Sequence, residues 1–267
     1  MDLRIEENPS MILAVLNNKG GVGKTTTAVN LAAALAGSSR RVLLVDLDSQ
    51  GSASLSLGVP RTELEPSIAN VLLEGGAAAP LVRPTKVKGL DLLTGSMALA
   101  NMDLALADEE GRETRLRDAL DPLRTRYSTI LLDCPPSLSL IPVNALLAAD
   151  RFLVPVTPQY LALEGLVNLM EAVERVHQGF GGGASLLGFL LTMVDYRARV
   201  TSEIVKILRD HYPDQVLKTE VRVNVRLAEA PSFGKTILDY DGRSSGAEAY
   251  RKLAREVQKK LRGANAA

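Results

Sequence analysis

A chain of 267 residues, 46% hydrophobic and 23% charged, is long enough to bury a substantial α/β core and has an ordinary water-facing composition. Lys plus Arg and Asp plus Glu both number 31, so the total charge excludes a uniformly basic nucleic-acid binder, though not a local basic patch. The single cysteine, Cys134, excludes an intramolecular disulfide and suits a reducing cytosol, and no apolar run reaches the roughly 20 residues of a membrane helix.

The first ten residues, MDLRIEENPS, are polar and acidic and lack the apolar centre of a signal peptide. They read as a loose arm, with a flexible tail expected over 263–267 and a single domain over 11–262. Met11 to Asn17 (MILAVLN) is the first of seven short apolar runs that read as buried parallel strands. A glycine-rich loop follows, then an alanine- and leucine-rich helix over Thr25 to Ala36. The second strand spans Arg41 to Asp48 and the third Gly89 to Gly95, with a loop at Leu73 to Pro80 between them. Arg112 to Arg126 carries Leu116, Leu120 and Leu123 at helical spacing ahead of a strand at Ser128 to Pro136. Strands at Arg151 to Pro158, Ser185 to Asp195 and Gln215 to Val223 then alternate with helices at Glu164 to Gln178, Thr201 to Asp210 and Ala247 to Leu261, with a loop at Gly179 to Gly183. The alternation predicts a three-layer α/β/α fold around a mostly parallel, twisted sheet. Ligands of such sheets sit at the carboxyl ends of the strands, where each motif below falls.

The loop Asn17 to Thr27, NNKGGVGKTTT, lies between an apolar strand and a helix, the setting a phosphate-binding loop requires. Gly20, Gly21, Val22 and Gly23 let backbone N–H groups turn inward around phosphate oxygens, and the helix start adds its free donors. Lys24 supplies a cation for the β- and γ-phosphates, the Thr25 hydroxyl can ligate Mg²⁺, and Thr26 is placed to reach the α-phosphate. Asp133 ends an apolar strand in TILLDCPPS, the position from which a carboxylate holds Mg²⁺, and Pro135 and Pro136 turn the chain out of the sheet. Asp46 and Asp48 lie two residues apart at the end of the second strand in LLVDLDSQGSAS, where a carboxylate can face a ligand at the strand tips.

The loop resembles the deviant Walker A motif, K-G-G-x-G-K-[ST], of the ParA/MinD superfamily of ATPases, and the resemblance extends from Met11 to Leu261. It implies a P-loop NTPase fold with ATP and Mg²⁺ as cofactors. Lys19 would be the signature lysine, reaching the phosphates of a second copy in a nucleotide-sandwich homodimer. The D-x-D-P-Q pattern assigns Asp48 to the attacking water and Asp46 to a supporting position near Mg²⁺; Ser49 stands where the family usually has proline. NVRLAEAPSFGKTILDYD (Asn224 to Asp241), PVTPQYLALEGLVNL and SGAEAYRKLAREV are similar to the ParA/Soj branch, whose members segregate DNA with a ParB-like stimulating protein.

Membership of that branch implies DNA binding without sequence preference, through Arg197, Arg199, Arg222, Arg226 and Lys235 together with basic residues of the last helix. It also implies that the segment around Asn224 helps hold the adenine. Here the family's I-P-R-N-V-R reads Val221-Arg222-Val223-Asn224-Val225-Arg226. The expected location is the cytoplasm, associated with the nucleoid. The alternatives are a relative that positions another cargo, such as a flagellar, chemosensory or carboxysome assembly, and a MinD-like membrane regulator. The last helix has only a narrow stripe of Tyr250, Leu253, Val257 and Leu261, which favours docking on the domain over membrane insertion.

Overall fold

The computed structural model describes residues 10–137 and 139–264, so the expected N-terminal arm but for residue 10, and 265–267 of the expected C-terminal tail, lie outside the described residues; residues 263 and 264 belong to the last helix. The strands are β1 Met11–Val15, β2 Val42–Asp46, β3 Arg83–Pro84, β4 Leu90–Leu93, β5 Thr129–Asp133, β6 Arg151–Val156, β7 Ser185–Val194 and β8 Val216–Arg222. They form one sheet in the order β3-β4-β2-β5-β1-β6-β7-β8. All neighbours are parallel except β3 and β4, which pair antiparallel.

The helices in chain order are α1 Lys24–Leu35, α2 Ser52–Ser56, α3 Ile68–Glu74, α4 Met102–Ala105, α5 Arg115–Leu120, α6 Leu140–Ala148, α7 Ala162–Phe180, α8 Arg199–His211, α9 Val225–Glu229, α10 Ile237–Tyr240 and α11 Ser245–Ala264. All seven anticipated strands form. The two-residue β3 and the short helices α2, α4, α9 and α10 are additions, too brief to show a hydrophobic period, and α3 and α6, at seven and nine residues, are additions as well. The helix expected over Arg112 to Arg126 is shorter. Pro122 has no N–H to offer the carbonyl of Asp118, and α5 gives way at Asp121–Leu123 to a tighter 3₁₀ turn.

Side-chain alternation along the strands builds two cores. Ile12 and Ala14 of β1 and Leu43 and Val45 of β2 face one side, joined by Ile68 of α3, Leu116 of α5, Ala145 of α6, Leu169 of α7 and Leu208 of α8. Leu13, Val15, Val42 and Leu44 face the other, covered by Ala28 and Leu31 of α1 and by Tyr250, Leu253 and Val257 of α11. The result is the three-layer arrangement that the alternation of strands and helices anticipates.

Helix α11 lies on α1 and β8. Tyr250, Leu253 and Val257 are at most 1% exposed, and the Tyr250 hydroxyl shares a 3.3 Å hydrogen bond with Thr27 Oγ1. Each such side chain contributes roughly 1.5–3 kcal/mol by leaving water, which fastens α11 to the domain along the anticipated stripe. No helix among the described residues is long and apolar enough to cross a membrane.

Candidate functional site

Three strand ends meet at one level. Asp133 at the tip of β5 is in register with Val15 at the end of β1 on one side and with Asp46 at the end of β2 on the other. The chain leaving β1 runs through the glycine loop into α1 beside these carboxylates. Gly21 (φ 73°) and Gly23 (φ 84°) take left-handed conformations that a Cβ would disfavour. The Thr192 hydroxyl donates to the Val22 carbonyl at 2.9 Å and pins the loop to β7. Helix α1 has no side-chain cap and no acidic residue in its first turn. Its first N–H groups and the positive end of its dipole are therefore left for an anion.

The two lysines of the loop point to different places. The Lys24 ammonium is buried and donates to the Lys19 carbonyl at 2.8 Å, curling over its own loop. Burial lowers its pKa, opposed chiefly by the Asp133 carboxylate. Lys19 is exposed, and its ammonium reaches out of the loop to Gln159 Oε1 at 2.7 Å, just beyond β6. The base of the loop is tied to the same strand, for Asn17 donates to the Pro155 carbonyl at 2.8 Å and accepts from the Lys19 N–H at 3.0 Å. Exposed apolar side chains flank the loop, with Tyr160 87%, Leu161 59% and Met193 40% exposed.

The three aspartates differ in what they hold. Asp46 is buried, and its Oδ2 accepts from the Ser54 N–H at 2.8 Å and the Ser54 hydroxyl at 2.7 Å, while Oδ1 accepts from the Asp48 N–H at 3.2 Å. Burial pushes its pKa up to about 6 against those bonds. Asp48 is half-buried and accepts from the Gln50 N–H at 2.9 Å, which leaves carboxylate surface facing out. Asp133 is fully buried, and among the described residues neither carboxylate oxygen has a hydrogen-bond partner. Burial, then the neighbouring Asp46, holds its pKa well above the usual carboxylate range; the Thr25 hydroxyl, close by, and the Lys24 ammonium pull the other way.

An orphaned buried carboxylate beside a hydroxyl and an ammonium fits a magnesium ion carried in on a triphosphate. No group of three or more His, Cys, Asp or Glu among the described residues could enclose a metal on its own. A triphosphate-borne magnesium needs none, because phosphate oxygens and waters fill most of its octahedral shell. Of the residues expected at the metal, Thr25 and Asp133 are brought together, whereas the oxygens of Asp46 already serve the chain that leads to Asp48.

A stability consequence follows from Asp133. With its folded pKa raised, the folded chain binds more protons than the unfolded one between the ordinary carboxylate value and that raised value, so stability falls as pH climbs through the window. Asp133→Asn removes the buried charge. At pH 8 the nucleotide-free variant is expected to melt higher than the parent, by about 2–4 °C for each kcal/mol regained. It should also lose most of the extra stabilisation that ADP with magnesium gives the parent. Thermal melts with and without the ligand test both effects.

Beyond Met193 a hollow of about 590 Å³ opens between the end of β7 and the chain after β8, lined by residues including Asp195, Tyr196, Arg222, Val223 and Val225. Asn224 lies between two of these residues, but its side chain is engaged elsewhere. Its Oδ1 caps α9 by accepting from the N–H groups of Arg226 (2.9 Å) and Leu227 (3.4 Å), and its amide donates to Ser245 Oγ at 2.8 Å. The preference of asparagine for the position before a helix is the signal that sequence reasoning passed over.

The basic residues are dispersed. Arg197 pairs with Asp195 at 2.6 Å, Arg199 with Glu203 at 3.0 Å, and Arg226 with Glu229 at 2.9 Å. Arg222 lies over the Tyr196 ring with its guanidinium carbon 5.3 Å from the centroid, and Lys235 is exposed after Gly234. Arg197 and Arg222 share the hollow beyond Met193, and Arg222 also joins Lys218 and Lys252 in a groove of about 510 Å³ between β8 and α11. Lys218 gives no signal in the sequence, since one lysine in the strand VLKTEVR is an ordinary surface residue. Exposed ion pairs of this kind contribute at most about 1 kcal/mol, so each arginine can exchange its carboxylate for another anion.

This geometry has known counterparts. A family model described as an AAA domain matches residues 10–181. The chain is 46% identical to the chromosome-partitioning ATPase Soj of Thermus thermophilus, over 94% of this chain and 97% of that one. It is 44% identical to the chromosome partitioning protein ParA of Myxococcus xanthus, over 93% and 88%. It is 42% identical to the sporulation initiation inhibitor protein Soj of Bacillus subtilis, over 92% and 97%. Among solved structures, cobyrinic acid a,c-diamide synthase of Mycobacterium smegmatis with a bound ATP analogue and magnesium superposes with a TM-score of 0.82 at 33% identity, covering 95% of this chain and 96% of that one. The septum site-determining protein MinD of Pyrococcus horikoshii with Mg-ADP gives 0.77 at 25% identity, covering 94% and 96%. The strand-end aspartates, the two-lysine loop and these relatives agree: the chain belongs to the ParA/Soj family of chromosome-partitioning ATPases.

Proposed function

We propose that the protein is a switch driven by ATP: the triphosphate joins two copies, the dimer holds DNA through its phosphates, and hydrolysis, stimulated by a ParB-like protein, releases it. The observation that carries this reading is the pair of lysines. Lys24 stays over its own loop, whereas Lys19 points out of it and, among the described residues, is tethered only to the neutral Gln159 amide, a bond worth about 1 kcal/mol that a facing phosphate can replace. The exposed Tyr160 and Leu161 beside Gln159 give a second copy an apolar surface to cover.

In the proposed reaction a water oxygen bonds to the γ-phosphorus as the bond to the β–γ bridging oxygen breaks, leaving ADP and phosphate. Gly20 to Gly23 and the N–H groups of Lys24, Thr25 and Thr26 cradle the phosphates. Lys24, with Lys19 from the facing copy, offsets charge gathering on the γ-phosphoryl and bridging oxygens. The outward carboxylate of Asp48 orients the water. Thr25 and Asp133 would hold magnesium, which neutralises β- and γ-phosphate charge when bound. The base would lie in the hollow beyond Met193, against Arg222 and Val223, with Asn224 shaping that wall through α9 rather than by direct contact.

For DNA, the cations on the two hollows, Arg197, Arg222, Lys218 and Lys252, form the favoured surface, with Arg199, Arg226 and Lys235 as outlying contacts. A dimer would double the set and so switch affinity with nucleotide. The test is a mobility-shift titration with ADP, ATP and a slowly hydrolysed analogue over a range of salt. Retention only with triphosphate is expected, with a logarithmic salt slope of about −0.9 for each phosphate contacted. Equal binding with ADP would contradict the reading.

A further inference from the structure

Asp48 sits on a stretch of chain that is held in place by one serine. Ser54, fully buried, is the third residue of α2, so its N–H is one of those the helix leaves free; it goes to Asp46 Oδ2 at 2.8 Å. The Ser54 hydroxyl has a single proton, and that goes to the same oxygen at 2.7 Å. The hydroxyl oxygen then accepts from the Gly95 N–H at 3.2 Å. Gly95 closes the other side, for a Cβ there would stand 2.7 Å from the carbonyl oxygens of both Asp46 and Asp48. Asp46 passes the restraint on by accepting from the Asp48 N–H at 3.2 Å, and the Asp48 carbonyl accepts from the Gly51 N–H at 2.9 Å. Ser54 thus joins the tip of β2, the loop after β4 and the start of α2 at one buried oxygen.

We propose that Ser54 is a positioning residue for ATP hydrolysis, acting through Asp46 and Gly95 to fix the main chain that aims the Asp48 carboxylate at the attacking water. This rests on the assignment of Asp48 to that water. Alanine can neither donate to Asp46 nor accept from Gly95, and threonine can do both. The nucleotide-binding loop follows β1, which β5 separates from β2, so binding and positioning should separate.

The test uses the full-length chain with Ser54→Ala, Ser54→Thr, Asp48→Ala and the double variant Asp48→Ala/Ser54→Ala. Turnover, ADP affinity by calorimetry, and hydrogen exchange at the amides of Asp48 and Gly95 are measured for each. Ser54→Ala is expected to lower kcat about tenfold, the scale of a sub-ångström misplacement, with ADP affinity within about twofold of the parent. Both amides should exchange faster, Ser54→Thr should restore turnover, and the double variant should be no slower than Asp48→Ala alone. Parental turnover in Ser54→Ala beside an inactive Asp48→Ala overturns the proposal, and so does a further tenfold loss in the double variant. Parental turnover in Asp48→Ala instead overturns the assignment of Asp48. Should Ser54→Ala fail to fold, Ser54→Cys keeps the volume with a weaker donor; a loss of turnover supports the proposal and parental turnover overturns it.

Discussion

Lys24→Ala is expected to reduce ATP hydrolysis at least a hundredfold, about 3 kcal/mol of lost transition-state stabilisation. The ammonium is buried in the fold of the loop, close to the uncompensated Asp133. Its bond to the Lys19 carbonyl shows that it spans the mouth of the loop, so an entering triphosphate replaces that carbonyl with its own oxygens. Without the cation, less positive charge offsets the nearby aspartates when the same ligand approaches. Nucleotide affinity should therefore fall together with turnover. Lys24→Arg should not rescue it, because a longer planar fork cannot occupy the space of a compact ammonium. Phosphate release and ADP calorimetry measure the two losses; a variant within about twofold of the parent in both would remove Lys24 from the site.

Lys19→Ala should act differently. The side chain is exposed and, among the described residues, its ammonium makes a hydrogen bond only to Gln159, so its removal leaves the loop backbone and Lys24 in place. Binding of ADP to one copy should change little. Association of two copies with ATP should weaken by about 2–5 kcal/mol, the cost of leaving a buried facing charge unpaired, which at micromolar protein reads as loss of the dimer. Partner-stimulated hydrolysis would fall with it. Sedimentation of the variant with ATP and magnesium distinguishes this from a loss of binding: a full dimer would mean that Lys19 does not cross between copies.

How much of this could be read in the sequence depends on how local each feature is. Strands and long helices were legible because a buried parallel sheet leaves runs such as RVLLVDLD, and an amphipathic helix leaves a stripe such as Tyr250, Leu253 and Val257. The phosphate loop was legible because Gly21, Gly23 and Lys24 do their work within a few residues of one another. Partners far apart in the chain were not. Gln159 meets Lys19 across 140 residues, and Gly95 meets Ser54 across 41. The roles of Asp46 and Asp133 could not be separated from sequence either. Both end apolar strands, and only packing shows that Ser54 fills the oxygens of one while those of the other stay bare. The resemblance points to Asn224 as a ligand contact while its side chain caps α9, because a segment's resemblance does not say which of its atoms are already engaged.

The proposed switch requires that a γ-phosphate bring two copies together. Multi-angle light scattering of the wild-type chain, with magnesium and either ADP or a slowly hydrolysed ATP analogue, measures that mass directly. The prediction is about one chain mass, 28.6 kDa, with ADP and twice that with the analogue. One chain mass in both, at saturating nucleotide, would contradict it.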